Sequence, residues 1–270
     1  MTWKDVEFIF NRSLAFSFSR KKFWFLFPVL ASCGLIAVFC RTLAVCSGEW
    51  ISMSLTFLPM FVSTAVLIAA GVIIIRIYHH EVKGLPLSVR KTVRDSGGIM
   101  LEISSLAIPL VLTYLALWVT LGFFYLMKMI PGVGMVLKVI LSFGPFLLVL
   151  GLLVLSVLSL AMLFFVTPVA ALRSKFNTLS EWKQKLLENP FTHSALFLLG
   201  LFPVLVVVGL LSLAARIAGS SYVEATRTLS IGFTWFFIML PFCAMLTPAT
   251  LFFFNFSAES YVFMQRKIKI

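Results

Sequence analysis

Across 270 residues the chain is 61% hydrophobic and 12% charged, with a mean hydropathy of +1.06 and a formal net charge of +12. A soluble domain carries about 25% charged residues. Half that share, gathered into islands between long apolar runs, excludes a water-soluble globule and points to several membrane-crossing helices. An outer-membrane barrel would show alternating segments of roughly ten residues, which the sequence lacks. Cations that flank apolar runs suit lipid headgroups rather than nucleic acid.

Thr2 and Asp5 form a capping box at the start of the chain. Over residues 3–20, Trp3, Val6, Ile9, Phe10 and Leu14 share one helical face, while Lys4, Asp5, Asn11, Arg12 and Ser19 fall on the other. Phe8 and Phe16 stray to the polar side. The pattern predicts an interfacial amphipathic helix closed by Arg20, Lys21 and Lys22. A first span is expected over Phe23 to Cys40 and a second over Ile51 to Ile75, with Pro59 inside it. Leu30-Ala31-Ser32-Cys33 has the composition of a lipoprotein cleavage box. The apolar run continues past it, so an uncleaved span is expected. Cys33, Cys40, Cys46 and Cys243 form no CxxC and no zinc spacing, and read as small packing residues.

Arg76 to Gly98 is a polar island holding His79, His80, Glu81, Lys83, Arg90, Lys91, Arg94 and Asp95. It reads as a solvated link with a short surface helix over residues 86–94 and a bend at Gly97-Gly98. A third span runs Ile103 to Met127, with Glu102 at its mouth, and a tight turn region follows from Lys128 to Lys138. Residues 139–172 carry no charge. As one helix they reach about 51 Å at 1.5 Å per residue, against a hydrocarbon core of about 30 Å. They form one long helix, a helix bounded by Pro145 and Pro168, or two spans. A third island, Arg173 to His193, sets Leu179, Trp182 and Leu186 on one face and has a capping box at Thr178 and Glu181. The fifth span runs Ser194 to Ala215 and the sixth Leu229 to Phe256, leaving a basic tail over 258–270 with Arg266, Lys267 and Lys269.

Lysine and arginine bias settles the number of spans. With six, alternate segments carry 17 and 5 of the 22 cations. Splitting 139–172 into two spans leaves 12 and 10, and the asymmetry vanishes. The positive-inside rule therefore gives six spans with both termini cytoplasmic. The expected fold is an all-α, polytopic helical bundle forming one integral membrane domain. A bacterial inner membrane fits a chain with no large exterior domain. Each basic island precedes a pair of spans, and prolines recur in matching order: Pro28, Pro109 and Pro203 in the first spans, Pro59, Pro145 and Pro241 in the second. That order suggests a threefold parallel repeat over 1–75, 76–172 and 173–257, with axes along the membrane normal.

No catalytic residue, metal site or cofactor site emerges. The adjacent His79 and His80 point about 100° apart on a helix and make no ready metal site. Pro131-Gly132-Val133-Gly134 lacks the features of a phosphate loop. No ionisable residue falls at mid-depth in any span, which argues against proton-coupled transport and intramembrane proteolysis. The reading favoured is a non-enzymatic membrane protein whose basic cytoplasmic face meets anionic phospholipid headgroups or a membrane partner. The lipid-facing cations would be Arg20, Lys21, Lys22, Arg90, Lys91, Arg94, Lys183, Lys185, Arg266 and Lys267. A permease or channel for a neutral or lipophilic solute is the alternative, with helix breaks at Pro59, Pro145, Pro203 and Pro241 lining a path. An interfacial lipid-modifying enzyme using His79, His80 or Glu102 is the third.

Overall fold

A computed structural model describes residues 3–45, 47–85, 89–129, 138–172, 190–219 and 228–267. Among these the chain is helical throughout, and six helices are long and apolar enough to cross a membrane. In chain order the described elements are α1 (Trp3–Ala15), a 3-10 turn (Phe16–Phe18), α2 (Arg20–Val45), α3 (Glu49–Val82), α4 (Val89–Ser104), a second 3-10 turn (Ser105–Ala107), α5 (Ile108–Met129), α6 (Lys138–Leu172), α7 (Pro190–Gly219) and α8 (Thr228–Lys267).

The sequence places most helix ends a turn or two short. Polar residues do not stop a helix; a backbone cap does. The second span runs on through Arg76, His79, His80 and Glu81 to Val82, where Gly84 adopts φ 66°. Gly84 N–H then donates to Glu81 O at 3.1 Å and Leu85 N–H to His80 O at 3.1 Å, a Schellman stop. The island expected to be a solvated link therefore begins inside α3, with Ile77 and Tyr78 buried. The last helix likewise continues through residues read as a tail, and Ala258, Ser260 and Tyr261 are buried.

The bend expected at Gly97-Gly98 is displaced. Both glycines are helical, and the irregular turn comes at Ser105–Ala107. Pro109 explains the place: it has no N–H for the Ser105 carbonyl, and its ring crowds that carbonyl. Of the short helix expected over residues 86–94, the part from Val89 belongs to α4, and residues 86–88 lie outside the described residues. Helix α4 runs antiparallel along α3, with Ser96 bonded to Arg76 at one end and Ser104 donating to Ala65 O at the other. Residues 139–172 form one helix, about 52 Å long as α6 of 35 residues.

Three antiparallel pairs, α2–α3, α5–α6 and α7–α8, share a core in which α3, α6 and α8 also touch one another. They meet tightly at Gly71, where an added Cβ would lie 2.4 Å from Phe254 Cε1 and 2.7 Å from Thr167 Cγ2. Around Phe164, the rings of Phe165, Phe197, Phe253 and Phe256 stand 4.9–6.3 Å away, mostly edge to face. Farther from this level, α5 and α6 pack on α3 through Phe61, Tyr114, Leu152 and Leu155, while α2 follows α8 through Gly34, Met239 and Cys243. Tyr114 and Ser54 bridge α5 and α3 with oxygens 2.7 Å apart.

Candidate functional site

The end of the bundle that holds α1, the α3–α4 connection and the last turns of α8 carries a layer of polar groups. Ser19 sets its geometry. With φ −67° and ψ 118° it interrupts the helical path between the 3-10 turn and α2, and its carbonyl accepts the Phe23 N–H. The chain thus turns back over the ends of α3 and α8. Phe10 packs on Phe252 at 5.0 Å, and Phe16 stands edge-on to Tyr78 at 5.6 Å. The face of α1 that packs holds Ile9 and Ser13, and Phe16 follows it inward; Trp3 and Leu14, placed by pattern on the same face as Ile9, are exposed.

Two carboxylates anchor the layer. Lys22 Nζ lies 2.7 Å from Glu81 Oε2, its side chain fully buried. It also stands 5.2 Å from the Tyr78 ring centroid and 5.7 Å from that of Phe16. An ammonium removed from water needs this company, since an opposite charge and two ring faces offset its desolvation. Ser19 Oγ donates to the other Glu81 oxygen at 3.1 Å. Glu259 accepts from the Tyr78 hydroxyl at 2.6 Å and pairs with Arg12 at 3.5 Å. Tyr78 therefore touches both pairs: its ring faces Lys22 and its hydroxyl reaches Glu259.

A second tier lies just inside. The Asn255 amide donates to Ser13 O and Ser17 Oγ at 3.5 and 3.4 Å. Arg76 donates to Ser96 Oγ at 2.8 Å and to the Ala171 carbonyl at 3.1 Å. Chemically, each carboxylate has a cation and a hydroxyl as partners. Such an arrangement fixes α1 and α2 against α3 and α8.

Of the cations expected to face lipid, Arg20, Lys21 and Arg94 are exposed. Lys22 departs from that set because the reversal at Ser19 swings it inward onto Glu81. Arg90 and Lys91 lie on α4, and Arg266 and Lys267 on the last turn of α8. Lys183 and Lys185, with the capping box and apolar face of the third island, fall outside the described residues. Pro59, Pro145, Pro203 and Pro241 each lie within an uninterrupted α-helix, so none is a break: Pro59 is buried and Pro241 exposed. Glu102 is exposed and lies near the level of Ala65, so α3 alone separates it from His79 by about 20 Å. The residues proposed for an interfacial enzyme are not brought together.

Sequence reasoning missed Tyr78, Asn255 and Glu259, and assigned Arg12, Lys22 and Glu81 to water or lipid. The signal was helical spacing: Tyr78 and Glu81 are three apart, Asn255 and Glu259 four, each continuing the buried stripe of its span. Comparison with protein-family models, with curated proteins and with solved structures finds no match for this chain.

Proposed function

We propose that the protein is a non-enzymatic integral protein of a bacterial cytoplasmic membrane, with both termini on the cytoplasmic side and a basic face that associates with anionic lipid. The observation that carries the reading is how the cations at one end are sorted. Arg12, Lys22 and Arg76 turn inward onto carboxylates, a hydroxyl or a carbonyl, while Lys4, Arg20, Lys21, Lys83 and Arg94 stand exposed around them. Inward charge is spent on holding helices together. Outward charge at a membrane surface attracts an anionic leaflet by about 1 kcal/mol per residue.

Three parallel repeats belong to the same reading. Two facts support them: α1 seats on α8 through Asn255 and Ser13, as α4 seats on α3 through Arg76 and Ser96; and the second helix of each pair contributes to the common centre.

The test is thermal unfolding of the whole protein in nanodiscs of phosphatidylcholine, with and without phosphatidylglycerol. The expected result is a higher midpoint with the anionic lipid and an increment that shrinks as salt rises. Equal midpoints at low salt would remove the lipid reading.

A further inference from the structure

Resting on that reading, we infer that the outward surface of α1, the first 3-10 turn and the start of α2 is the lipid-docking surface, seated in the headgroup region of an anionic phospholipid leaflet. Trp3, Phe18 and Trp24 are 79%, 73% and 63% exposed, and Leu14 is exposed beside them. Lys4, Arg20 and Lys21 are exposed on the same stretch.

The geometry of α1 separates three directions. At 100° per residue, Ile9 and Ser13 lie 40° apart and face the bundle. Trp3 and Leu14 lie 20° apart on one flank. Glu7 lies 20° beyond Leu14 at the edge of that flank, and Asn11 and Lys4 follow 60° and 80° beyond Leu14, opposite the bundle face. A helix held by one face, with an apolar flank and a polar sector beyond it, is arranged to lie in a membrane surface.

Two further features place the leaflet. The candidate span begins at Arg20, so the 3-10 turn sits where the chain enters hydrocarbon, and Phe18 and Trp24 bracket that point. Aromatic rings concentrate at this depth. The lysines and arginine alongside complement phosphate headgroups, whose negative potential falls off within a Debye length of the surface. An aqueous protein partner would not call for aromatic side chains on both sides of the entry point. The anchoring is also rigid: Arg12, Ser13, Phe10 and Phe16 fix the opposite side of α1 to α8 and α3.

The test uses full-length protein in liposomes, with Cys46→Ser as background. Spin labels are placed at Trp3→Cys, Leu14→Cys and Asn11→Cys, and collision with oxygen and with a water-soluble nickel chelate is measured. Labels at 3 and 14 are expected to favour oxygen, and the label at 11 to favour the chelate. In parallel, the preference of the protein for spin-labelled phosphatidylglycerol over phosphatidylcholine is measured for Lys4→Gln/Arg20→Gln/Lys21→Gln and for Lys83→Gln/Arg94→Gln. The triple variant is expected to lose preference by about fivefold per charge removed, and the double variant less. Chelate access at 3 and 14 overturns the docking surface and leaves it for a soluble partner. Loss in the double variant alone also overturns it, while the broader lipid reading stands. No preference in the unaltered protein overturns both.

Discussion

Lys22 Nζ lies 2.7 Å from Glu81 Oε2, joining the first turn of α2 to the last turn of α3. The pair is asymmetric, because the lysine is fully buried and the glutamate side chain is 18% exposed. Removing the carboxylate strands a charge; removing the lysine leaves a glutamate with some water and the Ser19 hydroxyl. Glu81→Gln is therefore expected to cost about 3–5 kcal/mol, and Lys22→Met less. The double variant Lys22→Met/Glu81→Leu should recover most of the loss. Reversible unfolding in mixed micelles measures all three, and a double variant as unstable as Glu81→Gln would argue against a charge-pairing role.

Glycines separate the packed centre from the lipid-facing surface. A Cβ at Gly71 meets Phe254 and Thr167 at 2.4 and 2.7 Å, whereas one at Gly209 meets nothing described within 4 Å. Gly71→Ala should lose about 1–3 kcal/mol through overpacking. Gly209→Ala should gain about 0.5–1 kcal/mol from helix propensity. Thermal midpoints of the two variants moving in the same direction would contradict this placement of the three central helices.

Orientation has a direct chemical readout. Lys83 is exposed in the α3–α4 connection and Gly48 in the α2–α3 connection, at opposite ends of α3. With Cys46 replaced by serine, the buried Cys33, Cys40 and Cys243 should stay silent. In intact bacterial cells a membrane-impermeant maleimide is expected to label Gly48→Cys and to reach Lys83→Cys only after the membrane is opened. Labelling of Lys83→Cys in intact cells would invert the topology.

The six apolar helices were legible because hydrocarbon demands long uncharged runs, and the long 139–172 run resolves into one helix as the charge bias required. Helix ends were not, because Arg76 and Glu81 look like the start of a loop until the Gly84 stop is seen. The ionic layer was hidden for a related reason. Lys22 sits in a run of three cations, and only the reversal at Ser19 turns it away from its neighbours. Such pairings join residues 59 or more positions apart, beyond any local pattern. Pro59, Pro145, Pro203 and Pro241, named as helix breaks along a solute path, lie inside continuous helices, which membrane helices tolerate where a neighbour can serve the freed carbonyl.

Pro168 gives the sharpest case of that tolerance. Lacking an N–H, it cannot donate to the carbonyl of Phe164 one turn earlier, yet α6 runs straight through it. The Ser257 hydroxyl of α8 donates to that carbonyl instead, at 2.5 Å, and Ser257 is fully buried. Ser257→Ala is thus expected to leave a buried carbonyl unpaired and to cost about 1–2 kcal/mol, near the upper range for hydrogen bonds between membrane helices. The consequence is specific to the proline. In a Pro168→Ala background the new amide serves Phe164, so the same Ser257→Ala change should cost only a few tenths of a kcal/mol, within the ordinary range of neutral substitutions. A double-mutant cycle on the full-length protein reads the difference, and additive losses would show that the hydroxyl does not stand in for the missing amide.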